Sequence, residues 1–179
     1  VLLTTFTELG IEWHPGHVIT SVDVAAHELH FADGSTMPYD LLLGVPRHVI
    51  PSVVADSGLA VDGWVPVDPA TLQTSFADVF AIGDVTSIGT PKAGVFAEGQ
   101  ASVLAEVIAA RIGTDVTPRT YDGNGVCYVE FGGRTAARVD VTFASGQAPF
   151  GHFDAASELI ASEKDDYRQS RVARWIGTE

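Results

Sequence analysis

Three groups of residues in this sequence have types and spacing suited to chemistry: Gly83-Asp84, Lys92-Ala93-Gly94, and the single cysteine, Cys127. Gly83-Asp84 follows the apolar run Val79-Phe80-Ala81-Ile82, which reads as a short buried strand. Such a strand would deliver the dipeptide to a carboxyl edge, where α/β sheets place their ligands. A glycine there lets backbone approach a ligand closely. The Asp84 carboxylate can accept charge-assisted hydrogen bonds from hydroxyl groups. Lys92-Ala93-Gly94 leads into a long helical pattern. A helix start presents unpaired N–H groups and the positive end of the dipole, suited to an electron-rich carbonyl or an anion. Lys92 beside it could support developing negative charge. The plain alternatives are an ordinary strand-to-helix turn for Gly83-Asp84 and a solvated surface cation for Lys92. Gln100 shares a turn set with Phe96 and is a secondary candidate.

Cys127 lies within Gly125-Val126-Cys127-Tyr128-Val129-Glu130-Phe131, a predicted strand. A lone cysteine in a strand is commonly a small buried hydrophobe. One cysteine excludes an internal disulfide framework and a cysteine-rich metal site. A disulfide with a cysteine outside this segment stays open. The six histidines show no tight metal-ligand spacing. His27 and His30 fall in a strand reading that would face them to opposite sides, so no metal site is expected.

The elements that must position these residues follow from period and punctuation. Residues 5–9 read as a helix end closed by Gly10. His17 to Val24 and Glu28 to Phe31 alternate as half-buried strands, the turn Ala32-Asp33-Gly34-Ser35 follows, and Met37 to Leu43 reads as the next strand. Val53 to Leu59 could form a short helix, and Gly63 to Val67 a brief strand. Gly94 to Ile112 has a helical pattern with Val95, Ala101, Leu104, Ala105 and Ile108 on one face. Gly125 to Phe131 and Arg134 to Phe143 form a hairpin across Gly132-Gly133. The tail from Asp154 to Trp175 is helical in composition. The expected fold class is therefore α/β in the mixed α+β sense: a β meander, a strand-loop-helix unit, and a C-terminal hairpin plus helix.

Composition narrows the function. The chain has 179 residues, 46% hydrophobic and 18% charged, which is the balance of a globular protein. Its net charge of −13 argues against nucleic acid as a partner and against broad adhesion to anionic lipid. No apolar run reaches the ~20 residues needed to span a bilayer, so a soluble segment is expected. The chain opens Val1-Leu2-Leu3 with neither an initiator Met nor a signal-peptide pattern, and we expect it to begin mid-gene or after processing.

The whole string around Gly83-Asp84 goes beyond a turn. Thr74 to Asp84 resembles the second flavin-binding motif, T-x-x-x-x-V-F-A-I-G-D, of flavoproteins with two dinucleotide-binding domains. Pro91 to Ala101, P-K-A-G-V-F-A-E-G-Q-A, resembles P-K-x-G-x-x-A-x-x-Q-A of sulfide:quinone reductase-like and related NADH dehydrogenase enzymes. Phe31 to Pro46 is similar to the family pattern F-x-D-G-x-x-x-x-Y-D-x-L-x-x-x-P. The tail, with Lys164, Arg171, Arg174 and Trp175, is similar to the final K-x-x-x-x-x-x-R-x-x-R-W segment. The bland reading of that tail is a solvated helix with Trp175 docked on the body. The chain thus resembles the C-terminal portion of an FAD-dependent pyridine nucleotide-disulfide oxidoreductase of the sulfide:quinone branch.

This resemblance implies that Asp84 holds a ribityl hydroxyl of FAD, with Gly83, Ala93 and Gly94 beside the cofactor and Lys92 near its ring or a quinone. It implies that Cys127 pairs with an upstream cysteine as the redox disulfide, able to accept sulfide and pass two electrons inward. Catalytic roles are accordingly expected for Cys127 and Lys92. The implied reaction moves two electrons from sulfide or NAD(P)H through FAD to a quinone-type acceptor. The implied partners are that small-molecule donor and acceptor and the N-terminal half of the same protein; a homodimer and peripheral contact with the cytoplasmic membrane stay open. Residues 1–68 would be part of a nucleotide-binding domain, 69–115 part of the FAD-binding domain, and 116–179 a quinone-side domain. No G-x-G-x-x-G fingerprint occurs. The segment alone would then carry half a flavin pocket and be inactive. The rival reading is a noncatalytic or degenerate module of the same fold that serves in assembly.

Overall fold

The computed structural model describes residues 2–143 and 146–177. The chain divides into two units, Val1–His48 and Val49–Glu179. In the first unit, helix α1 (Leu2–Glu8) ends on Gly10, whose φ of +68° only glycine takes without penalty. The amide of Ile11 donates to Phe6 O at 2.7 Å and that of Gly10 to Thr7 O at 3.2 Å, closing the last turn as expected. Strands β1 (Ile19–Asp23), β2 (Glu28–Phe31) and β3 (Thr36–Pro38) form an antiparallel meander in that order. Leu29 and Phe31 are its buried side chains, on alternate positions of one face. The Asp33 carboxylate accepts from the Ser35 amide at 2.9 Å and its hydroxyl at 2.6 Å, which fixes the β2–β3 turn.

Two expectations for this unit differ from the structure. The strand foreseen from Met37 to Leu43 stops at Pro38, and Leu41 and Leu43 are 76% and 88% exposed. An unbroken apolar run suits a strand covered on both faces, and within this unit no described element supplies that cover. His27 lies outside β2, in a left-handed turn with φ +54°, stacked on Tyr39 with ring centroids 5.4 Å apart.

The second unit is built around helix α3 (Gly94–Arg111). Its core cluster is Leu72, Val103 and Val107, with Val67, Phe80, Ile82, Ile88, Leu104 and Tyr121 packed around it. Fully buried Leu72 has φ +63°, a left-handed conformation that costs a leucine roughly 1–2 kcal/mol. Its burial returns about 2 kcal/mol. The turn before it is held by Asp68, whose carboxylate accepts from the Thr71 amide at 2.8 Å, the Thr71 hydroxyl at 3.0 Å and the Ala70 amide at 2.9 Å. Helix α2 (Ser52–Ala55) is a single turn, shorter than the sequence suggested. The brief strands read at Gly63–Val67 and Val79–Ile82 appear only as isolated bridges, Val61 to Trp64, Val65 to Thr86 and Gln73 to Phe80. A ladder needs a continuous neighbour, and neither segment has one among the described residues.

Strands β4 (Asn124–Gly132) and β5 (Thr135–Thr142) form the expected hairpin, turned through left-handed Gly132, Gly133 and Arg134. Strand β6 (Phe150–Ser157) adds to β5 antiparallel, and helix α4 (Glu158–Trp175) follows directly. The helix therefore starts at Glu158 rather than Asp154. Ser157 is the N-cap, its hydroxyl accepting from the Ile160 amide at 3.2 Å. Trp175 at its end is 63% exposed, with the Arg174 guanidinium 5.6 Å from its ring centroid, so it is not docked on the body.

Candidate functional site

Residues 83–94 form one connected arrangement at the start of α3. Gly83–Val85 is a single 3-10 turn, entered at Gly83 with φ +71°. A side chain there would be backbone-strained, which selects glycine, although its Cβ would meet Ala97 Cβ only at an ordinary 3.4 Å contact. The Gly83 carbonyl accepts from the Thr86 hydroxyl at 2.9 Å and the Thr86 amide at 3.1 Å. The Gly83 amide donates to Gln100 Oε1 at 2.6 Å. With both backbone groups of Gly83 fixed, the next side chain, Asp84, is left exposed to solvent.

Lys92 reaches back over this turn. Its Nζ donates to Thr86 O at 2.9 Å and sits 3.7 Å from the Trp64 ring centroid, a cation–π distance. Burial lowers the Lys92 pKa below the usual lysine range, and the Asp84 carboxylate opposes that shift. Lys92 and Asp84 therefore share one electrostatic neighbourhood. Ala93 is the N-cap of α3, extended at φ −145° and ψ 147°, and no side chain caps the helix. Its carbonyl accepts from the Phe96 amide at 3.1 Å and its own amide donates to Pro91 O at 3.0 Å, so the helix start is left without a side-chain cap at Gly94 and Val95. The structure thus brings Gly83, Asp84, Lys92, Ala93 and Gly94 into one neighbourhood.

Cys127 is a free, half-buried thiol in β4, opposite Val139 of β5. Side chains alternate along a strand, so Cys127 shares its face with Gly125, while Tyr128 and its partner Arg138 lie on the other. That other face carries α4: Tyr128 Oη donates to Glu163 Oε1 at 2.8 Å and Arg138 Nη1 to the same oxygen at 2.9 Å. Gly125 touches the ring of Phe96, in the first turn of α3. Cys127 is two residues along the strand from that contact, roughly 7 Å at the usual rise.

Two clefts lie elsewhere on this unit. One, of about 550 Å³, is bordered by Glu130, Arg134, Glu158 and Lys164. The other, of about 270 Å³, is bordered by Glu98, Arg119, Tyr121 and Arg171. Neither is lined by a residue of the 83–94 arrangement or by Cys127. Sequence reasoning passed over two members of the arrangement, Trp64 and Thr86. Thr86 stands three residues after Gly83, the spacing of a hydroxyl-to-carbonyl turn bond, and was open to recognition. Trp64 comes from 28 positions before Lys92 in the chain, and no local pattern signals that contact.

Helix α3 buries Phe96, Gln100, Val103 and Val107 rather than the stripe read from the sequence; Ala105 and Ile108 are exposed. No helix among the described residues is long and apolar enough to cross a membrane.

The sequence profile of the pyridine nucleotide-disulphide oxidoreductases matches residues 1–110. The chain is 28% identical over 126 residues to the mitochondrial sulfide:quinone oxidoreductase of Mus musculus, a match covering 69% of this chain and 28% of that protein. It is 35% identical over 99 residues to the mitochondrial sulfide:quinone oxidoreductase of Schizosaccharomyces pombe, covering 53% of this chain and 22% of that protein. Among solved structures it resembles the sulfide:quinone oxidoreductase of the hyperthermophilic bacterium Aquifex aeolicus, with a TM-score of 0.70 at 16% identity. That match covers 99% of this chain and 49% of the other, and it bears out the mixed α/β fold. The chain thus spans about a quarter of the length of these curated relatives and about half of the solved chain.

Proposed function

The chain belongs to the pyridine nucleotide-disulphide oxidoreductase family, matching its profile over residues 1–110, and on that premise we propose that it is the C-terminal part of a flavin-dependent enzyme. In this reading the intact protein moves two electrons from sulfide, or from NAD(P)H, through FAD to a quinone-type acceptor. Sulfide is favoured as donor by the two sulfide:quinone oxidoreductases that the chain resembles in sequence. FAD, when bound, supplies the two-electron carrier between donor and acceptor.

The observation that carries the reading is the Gly83-Asp84 turn set against the uncapped start of an 18-residue helix. These residues fit the cofactor: Gly83 brings backbone close without a side chain, and exposed Asp84 offers a carboxylate to ribityl hydroxyls. The helix start at Ala93 and Gly94, which no side chain caps, suits the electron-rich carbonyl edge of the ring. Lys92 holds positive charge over the same turn and would favour the reduced, anionic form. Cys127 is assigned the redox thiol, paired with a cysteine from the rest of the protein.

The domain division into 1–68, 69–115 and 116–179, a location in the cytoplasm or at the periphery of the cytoplasmic membrane, and inactivity of this segment by itself belong to the same proposal. The test is the visible spectrum of the protein at its natural full length. Oxidised flavin bands that bleach with sulfide and return with quinone are expected. A colourless protein that fails to take up added FAD overturns the reading.

A further inference from the structure

Gln100 is a polar side chain 1% exposed, in a helix whose other buried residues are apolar. Burying an amide without partners is costly, and this one is partnered at both ends. Its Oε1 accepts from the Gly83 amide at 2.6 Å, and its Nε2 donates to Thr90 Oγ1 at 3.4 Å. One side chain of α3 therefore grips both ends of the loop that carries Asp84. The enclosed hydroxyl of Tyr121 lies beside Gln100 and Thr90. The Gly83 amide opens the turn that aims Asp84, and its acceptor comes from a helix residue 17 positions on. A hydrophobic residue at 100 would fill the core and leave that donor unpaired.

We infer that Gln100 is a positioning residue for the flavin: it touches no ligand itself, and it sets the direction in which the Gly83-Asp84 turn presents its carboxylate. This inference depends on the flavin reading above. Without the clasp the turn is free to rotate about Gly83, whose conformational freedom then works against binding. A site aimed by a buried hydrogen bond pays no ordering cost when the ligand arrives.

The experiment compares wild type, Gln100→Met and Gln100→Glu at natural full length. Met keeps the volume and removes both hydrogen bonds; Glu keeps the acceptor for Gly83. Three quantities are read: the FAD dissociation constant by flavin fluorescence, the visible circular dichroism of bound flavin, and hydrogen exchange at the Gly83 amide. Gln100→Met should bind FAD about tenfold more weakly, the scale of one lost buried hydrogen bond, with altered flavin dichroism and faster Gly83 exchange. Gln100→Glu should stay within about threefold of wild type, since the acceptor remains. Wild-type FAD affinity and dichroism in folded Gln100→Met overturn the inference, even if its melting temperature falls. If Gln100→Met does not fold, Gln100→Glu decides, and a folded Glu variant with tenfold weaker FAD overturns it. A wild type that binds no FAD instead overturns the flavin reading, while Gly83 exchange still reports on the clasp.

Discussion

The space that a side chain of Gly125 would occupy is filled by the ring of Phe96. A Cβ on residue 125 would lie 2.6 Å from Phe96 Cε1 and 2.8 Å from Cζ. The ring is 2% exposed and is braced edge-on by Phe143, with centroids 5.6 Å apart, so it has little room to yield. Through this contact β4, which carries Cys127, is seated against the first turn of α3, which follows Lys92 and Ala93.

Gly125→Ala is therefore an overpacking substitution with no backbone component, because residue 125 is in an extended strand. We expect a loss of about 1–3 kcal/mol in stability, read as a lower urea midpoint with an unchanged slope. Gly151→Ala is the control: its Cβ would approach Val141 Cγ1 at 3.4 Å, an ordinary contact, and should cost under ~1 kcal/mol. Equal effects at the two positions would show that Phe96 can move aside.

Cys127→Ser should leave the fold and flavin spectrum intact, since the thiol is half-buried and has no recorded partner among the described residues. Sulfide-driven quinone reduction at natural full length should fall to background, because a hydroxyl forms no disulfide. Sulfide turnover at the wild-type rate in Cys127→Ser would end the redox assignment of this residue.

Lys92→Met separates the charge from the packing. Burial lowers the pKa of this amine, with Asp84 opposing, so the folded state holds the proton less tightly than the unfolded chain. Its contribution to stability is therefore present above the ordinary lysine pKa of 10.5 and lost as pH falls through the lowered folded value. At neutral pH the ammonium is retained against that desolvation by Thr86 O and the Trp64 face. Methionine removes both the cost and these contacts, so stability at pH 7 should change by less than about 1 kcal/mol. The flavin midpoint potential should drop by roughly 20 mV, equivalent to about 1 kcal/mol for a two-electron couple. An unchanged potential would place Lys92 in a purely structural role.

The site was readable where chemistry and chain neighbourhood coincide. Gly83 and Asp84 are adjacent, Lys92 immediately precedes the helix, and the run before them is apolar, so short windows contain the arrangement. Gln100 ranked low because a glutamine on a helix is ordinarily a surface residue; only the 2.6 Å contact with Gly83, 17 residues away, marks it as internal. The same residue explains why the buried face of α3 was misread. Apolar and small residues occur all round this helix, and the true stripe of Phe96, Val103 and Val107 is interrupted by that polar amide. Strand β6 was read as helix from Asp154 because its charged and small residues carry no strand period. What makes it a strand is the open edge of β5, a tertiary circumstance.

On the far face of the C-terminal sheet, Tyr128 offers a pH test of the α4 docking. Its hydroxyl pKa is pushed up to about 12, first by burial and then by donation to Glu163. The folded state therefore holds this proton more tightly than the unfolded chain, whose tyrosine titrates near 10. The resulting stability is complete below pH 10 and is lost as pH rises from 10 to about 12. Wild type should weaken steeply across that window, with tyrosinate absorbance rising as α4 detaches. Tyr128→Phe has no proton to lose there, so its stability curve should be flatter between pH 10 and 12, though lower at pH 7 by about 1 kcal/mol for the lost hydrogen bond. Arg138 still holds Glu163 at 2.9 Å in that variant and keeps α4 in place. If both proteins lose stability in parallel above pH 10, the alkaline transition belongs to another group and Tyr128 does not govern the docking of α4.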